Sequence, residues 1–480
     1  MRKLGVRLSR RAGRWAMSAV RHRDNRAVTQ GSSTPTSTTP GTPRTQVVTC
    51  AYNPRWVGWL SLGQLISWGS IYYLFALIMV PIEEELGLSR AQSSLAFSLA
   101  LLVEGLLAYS VGRWLDRGHE RLVMTAGSVL LGLCLLAHSF VTTKLGFYAA
   151  WCCIGAGMAA TLYNPAFAVV TRRFPQDFRR AIITLTFLGG LASTVFLPLS
   201  AWLISSGGWR QALLVLAALH LLVVAPLHFV LLKNAPRGHG AGWREPDSQS
   251  DVSSADVKPM HKPKLAHHLT SAPFLLLGLF VILTMTVTAA LPTHIVSLLR
   301  ELGLQETWAI AIPASIGLVQ VFGRLLMYFF EHRFNVHTSN RLIPWFLPLG
   351  LIALLIVPML GSTGSDANPL GWPLLFFFVL MWGMGVGMLT IVKGTAMAQY
   401  VSREHVASLN GALGVPLALA RASAPLGLGL LWSAQAGYSA GLWVLLGLAV
   451  AGALTLHWAQ RLALNQPQAF QPPAVQPPAS

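Results

Sequence analysis

Charge is scarce in this chain of 480 residues: Asp, Glu, Lys and Arg make up 11% of it, where a soluble globular protein carries about 25%. Hydrophobic residues reach 53% and the mean hydropathy is +0.54. A water-soluble fold of this size has too few polar groups to cover that much apolar surface. Cysteine occurs only at positions 50, 134, 152 and 153, without the spacing of a disulfide framework or metal site, so these read as small packing residues. The histidines form no metal pattern, because His119-Glu120 lacks the second histidine of H-E-x-x-H. A G-x-x-x-x-G-K-S/T phosphate loop is also missing; Lys393-Gly394-Thr395 holds the residues in the wrong order. Primary pumping is therefore disfavoured. A membrane-embedded enzyme would need a nucleophile–base set or a paired acid, and none is visible. No cofactor and no metal are expected.

What the chain does have is long apolar runs, each able to cross a hydrocarbon core about 30 Å thick. Twelve fall at about 57–81, 93–114, 122–141, 147–170, 181–204, 211–232, 272–296, 309–330, 342–361, 373–392, 406–433 and 440–460. They predict an all-α polytopic membrane protein, since backbone amides facing lipid must be satisfied within their own segment. The domain reading is a disordered basic, then Ser/Thr/Pro-rich tail (1–55), a six-helix half (56–232), a hydrophilic central loop (233–271), a second six-helix half (272–461) and a Pro/Gln-rich tail (462–480). Two readings of the first tail stand side by side, a transit peptide and a mis-assigned start codon.

The net charge of +18 does not mark a nucleic-acid surface. Eleven of the 35 basic residues precede position 56, and most of the rest sit in short loops. Loop 4–5 carries four basic residues and the central loop six, whereas each loop on the opposite side carries one or none. The positive-inside rule then puts both termini and the central loop in the cytoplasm, with a bacterial cytoplasmic membrane the expected location. The halves also repeat: Gly157 and Gly387 are 230 residues apart, as are Tyr163 and Lys393. Two six-helix halves with internal symmetry suit a rocking transporter with its site at the midplane.

The loop after span 2 reads Gly112-Arg113-Trp114-Leu115-Asp116-Arg117-Gly118-His119-Glu120-Arg121. It resembles the G-x-x-x-D-R-x-G-R-R/K loop of the major facilitator superfamily, with matches at Gly112, Asp116, Arg117 and Arg121 and a departure at His119-Glu120. The resemblance implies a latch joining the cytoplasmic ends of the halves. A weaker echo, MYFFEHR at 327–333, has His332 where aspartate would stand. Trp56-Val57-Gly58-Trp59, Tyr163-Asn164-Pro165-Ala166, Arg172-Arg173-Phe174, Gly208-Trp209-Arg210 and Gly317-Leu-Val-Gln320-Val-Phe-Gly323-Arg324 are similar to the monocarboxylate-porter and oxalate/formate-antiporter branches. There the arginine of span 8 binds substrate, a role the resemblance gives to Arg324, and the antiporters add a span-11 cation, here Arg421. Two positions depart from the porters: Gln320 replaces an aspartate, and Tyr72 to Ala76 lack a lysine.

Only Glu104, Arg324, Lys393 and Arg421 are charged residues deep in the spans. Each costs about 2.5–3.5 kcal/mol at mid-bilayer on an insertion scale, so an uncompensated one implies a task. Three cations against one carboxylate leave an excess that an anion would neutralise, and a guanidinium fork suits a carboxylate. The candidate substrate-binding set is Arg324, Arg421, Lys393, Tyr73, Tyr163 and Asn164, with both arginines expected to grip one carboxylate. Glu104 is either a proton carrier or an internal partner for an arginine; Lys393 also fits a snorkelling cation. The expected protein is a monomeric secondary transporter, moving a mono- or dicarboxylate by proton symport or exchange. Efflux of a drug or metabolite is the alternative, although Gly189-Gly190 to Pro198 departs from the G-x-x-x-G-P-x-x-G-G motif of such exporters.

Overall fold

The computed structural model describes residues 52–233, 265–330, 335–360, 370–402 and 406–465. The first tail up to residue 51, most of the central loop, His332 and the chain from 466 lie outside the described residues. Among the described residues the regular elements are helices, with one isolated bridge between Ser433 and Gly437. Spans 1 to 4 are Pro54–Leu86, Arg90–Asp116, Glu120–His138 and Lys144–Arg173. Spans 5 and 6 run together as Arg180–Leu231, reversing at Gly208, whose φ of 79° only glycine adopts without strain. Spans 7 to 10 are Ala272–Glu301, Glu306–Met327, His337–Leu360 and Gly371–Lys393; Gly414–Leu430 and Ser439–Leu464 complete twelve.

Several helices outrun the apolar segments that announce them. Span 1 continues to Leu86 rather than ending near 81, and span 7 to Glu301 rather than 296. The added turns carry polar residues, which hydropathy discards although helical hydrogen bonding continues through them. Span 11 departs the other way, being interrupted between Val406–Ala412 and Gly414–Leu430.

Span 4 is broken too, and the cause is local. Leu162 is extended (φ −74°, ψ −159°), between helices Lys144–Thr161 and Tyr163–Arg173. Pro165 has no amide hydrogen and its ring collides with the carbonyl four residues back, that of Thr161. The freed Thr161 carbonyl accepts instead from Gln64 Nε2 of span 1, at 2.6 Å, and Gln64 is fully buried. Gln64→Leu should leave that carbonyl bare in a dry site and lower stability by about 1–3 kcal/mol. A reduced thermal midpoint of the purified variant checks this.

Buried side chains gather half by half. One cluster draws its buried members from spans 7 to 12 with only Ala76, Leu77 and Leu197 from the first half. Two others draw on spans 1 to 6, with Ala422 the sole contribution from the second. Where spans 2 and 11 meet across the halves, the contacts are small instead: Gly105 faces Ala418, Ser98 Oγ accepts from the Leu426 amide at 3.0 Å, and Gly429 lies on Ser94. Small residues let the backbones approach closely without interlocking. Within the first half, Gly208-Trp209-Arg210 ties helix ends together, as Trp209 Nε1 and the Arg210 guanidinium both reach Glu85, and Arg210 Nη2 donates to the Val141 carbonyl at 2.8 Å.

Candidate functional site

Span 1 departs from α geometry at Trp68–Tyr73, which is wound as a π-helix. With bonded partners five positions apart, Trp68, Tyr72 and Tyr73 come to one side of the helix. The Phe196 ring of span 5 occupies the place where a Cβ on Gly69 would be. All three aromatics line a cavity of about 180 Å³ between spans 1, 4, 5, 7, 8 and 10. The break at Leu162 delivers the fourth, Tyr163, whose ring lies 4.8 Å from Trp68 and stacks on Phe167 at 5.2 Å.

Arg324 enters the same cavity from span 8, with Gln320 one turn earlier. Its Nη1 donates to the Thr186 carbonyl of span 5 at 2.7 Å, while its Nε is buried without a hydrogen-bond partner among the described residues. The approach depends on Gly189 and Gly190. A Cβ at Gly190 would lie 2.7 Å from Arg324 Nη1, and one at Gly189 would overlap the Tyr163 hydroxyl. Sequence reasoning used this glycine pair only to argue against an exporter; two adjacent glycines within an apolar helix were the signal for a close approach.

The other interior charges are placed differently. Arg421 Nη2 of span 11 pairs with Glu104 Oε2 of span 2 at 3.3 Å, with Glu104 buried. Lys393 Nζ of span 10 rests 3.0 Å from the Met285 sulfur. Neither Arg421 nor Lys393 lines the cavity, so the wall holds one guanidinium rather than two arginines around a common point. Asn164 is exposed and does not line it either. Gln320 and Trp382 do.

At the other end of span 2, Asp116 and Arg117 are exposed, and Asp116 makes no ion pair among the described residues. Arg121 donates from Nε to the Phe229 carbonyl at 2.8 Å, its guanidinium 3.6 Å above the Phe229 ring. Glu120, the departure from the motif, is the buried member: it pairs with Arg173, which lies over Trp56 at 4.8 Å and donates to the Lys233 carbonyl at 3.2 Å. This network ties the first half to the start of the central loop.

Comparison with known proteins agrees with this architecture. Over 315 residues the chain is 26% identical to monocarboxylate transporter 13 of Bos taurus, covering 62% of this chain and 66% of that protein. It is 25% identical to monocarboxylate transporter 4 of Rattus norvegicus over 298 residues, 61% and 58% of the two chains. The chain thus spans less than two thirds of either relative. Among solved structures, a bacterial homologue of the human lysosomal transporter Spinster, inward-facing and occupied, superposes with a TM-score of 0.61 at 15% identity, over 86% of this chain and 97% of that one. The nucleoside transporter NupG superposes equally at 14% identity, over 85% and 99%. These likenesses describe transporters, not enzymes, and the multi-pass fold is theirs. A Major Facilitator Superfamily profile matches residues 60–425, and the chain belongs to that superfamily.

Proposed function

We propose that this transporter moves a small monocarboxylate by alternating access, with Arg324 receiving the carboxylate. The carrying observation is the guanidinium itself: it borders the cavity, and its buried Nε has no hydrogen-bond partner among the described residues. Arg421 is already answered by Glu104, and Lys393 stands back against Met285. One unanswered cation in the wall suits one negative charge better than two, which selects a monoanion from the wider class of mono- and dicarboxylates. The aromatic wall of Trp68, Tyr72, Tyr73 and Tyr163 offers an apolar surface for the body of the acid, and two of the relatives named above are monocarboxylate transporters. Glu104 is the proton-coupling residue of this reading, because its protonation would loosen a contact that joins the halves. The basic loops, Gly112 to Arg121 among them, face the cytoplasm.

A thermal-shift and counterflow panel on the purified, reconstituted chain tests this. Monocarboxylates should raise the midpoint, as ligands of the folded state do, and drive exchange without ATP. A panel in which only dicarboxylates, or only lipophilic cations, stabilise and exchange would replace it with a dicarboxylate carrier or an exporter.

A further inference from the structure

Two of the ion pairs among the described residues join the halves, and both are made by span 2: Glu104–Arg421 and Arg90–Glu301. The others, including Arg210–Glu85 and Arg300–Glu306, close within one half. Arg90 opens span 2, about 40 Å from Asp116 at its far end by helical rise. In the sequence it is a single basic residue in a short loop.

The surroundings of Arg90 are specific. Its Nε lies 3.3 Å from Glu83 Oε2 of span 1, and its Nη2 3.7 Å from Glu301 Oε1 of span 7. The guanidinium sits 5.0 Å from the ring of Trp432, whose Nε1 donates to Glu301 at 2.9 Å. A tight turn, with paired backbone bonds between Ser433 and Gly437, presents Trp432 and Tyr438 together from the loop between spans 11 and 12. The Arg90 and Glu83 side chains are each only 10% exposed. A surface ion pair of little consequence would be open to water at both ends; here Trp432 lies over the guanidinium, while Glu301, the partner across the halves, is 32% exposed.

A directed hydrogen-bond chain leads inward from it. Arg90 Nη1 donates to the Tyr438 hydroxyl at 3.0 Å. The buried His294 lies 3.0 Å from that hydroxyl through Nδ1 and 3.0 Å from the Pro425 carbonyl through Nε2. A carbonyl only accepts, so the ring proton is on Nε2 and Nδ1 accepts from Tyr438. Pro425 stands one turn after Arg421 on span 11. The two crossings are thereby wired to the same helix.

We propose that Arg90 is the clasp of a gate between the halves, on the face opposite the Gly112–Arg121 loop, closed in this structure, whose release opens the central cavity to that face. Glu83 and Glu301 hold the guanidinium from either half, Trp432 covers it, and Tyr438 and His294 link it to span 11. A two-state rocking protein shifts its population by the free energy that one state loses.

The test uses Ile295→Cys, a cavity-lining position, in the full-length chain. Labelling by a membrane-impermeant maleimide is timed in right-side-out and inside-out vesicles, with the parent chain subtracted for its own cysteines. Arg90→Gln should raise the labelling rate from the clasp face about fivefold or more, a typical coupling between sites, and lower it from the other. Arg300→Gln, which breaks a pair within one half at the same end, should change neither. Where Arg90→Gln does not yield folded protein, Glu301→Gln and Tyr438→Phe carry the same expectation with smaller changes. Wild-type labelling rates from both faces in the folded variants would overturn the clasp. Substrate identity plays no part in this readout.

Discussion

Arg324→Ala is expected to weaken apparent substrate affinity by about 100-fold, from the 2–5 kcal/mol that losing a buried charge partner costs. The guanidinium has already committed Nη1 to the Thr186 carbonyl, so its remaining N–H groups are what a carboxylate meets. Arg324→Lys keeps the charge but not the fork, and a loss of about tenfold is expected there. Counterflow gives the apparent affinity, and ligand-induced thermal shift separates binding from movement. Near-normal affinity in both variants for every acid that binds the wild type would remove Arg324 from the site. Gly190→Ala is the complementary probe: it leaves the charge and pushes Nη1 from a distance of 2.7 Å.

The second large effect concerns Glu104. Its carboxylate is buried and bonded to Arg421, whose side chain is 24% exposed, and removing one member of such a pair destabilises by at most about 3–5 kcal/mol because the survivor stays charged. Glu104→Gln should therefore lower the thermal midpoint strongly, and Arg421→Gln in the same chain should restore much of it. If Glu104 also carries the proton, the single variant exchanges substrate but no longer accumulates it under a pH gradient. The stabilised double variant should then exchange without accumulating. Accumulation by that double variant would leave Glu104 as a counter-ion and nothing more.

The sequence carried the architecture because hydropathy is a property of segments. Twelve apolar runs and a skewed distribution of basic loops need no tertiary information. Helix ends were less legible: the polar turns beyond Pro81 and Val296 belong to their helices, and those turns carry Glu83 and Glu301. The interior charges could be named from their rarity, yet rarity does not say who faces whom. Glu104 and Arg421 are 317 positions apart, and only packing reveals that one neutralises the other and leaves Arg324 at the wall. Glycines were ambiguous for the same reason, since Gly190 is a packing residue until the guanidinium it admits is seen. Arg90 was hidden by counting, because a loop charge and a clasp are one letter in a sequence.

The broken fourth span has a consequence for biogenesis. A carbonyl stripped of its helical partner is costly in lipid until something donates to it. Synthesis runs from the N-terminus, so span 1, bearing Gln64, is already in the bilayer when span 4 arrives with its bare Thr161 carbonyl. The same order serves Arg324, whose Thr186 acceptor belongs to span 5 and precedes span 8. Arg421 arrives with span 11 to a carboxylate delivered nine spans earlier. Late polar groups thus meet acceptors and donors already in place, and the burden of waiting falls on Glu104.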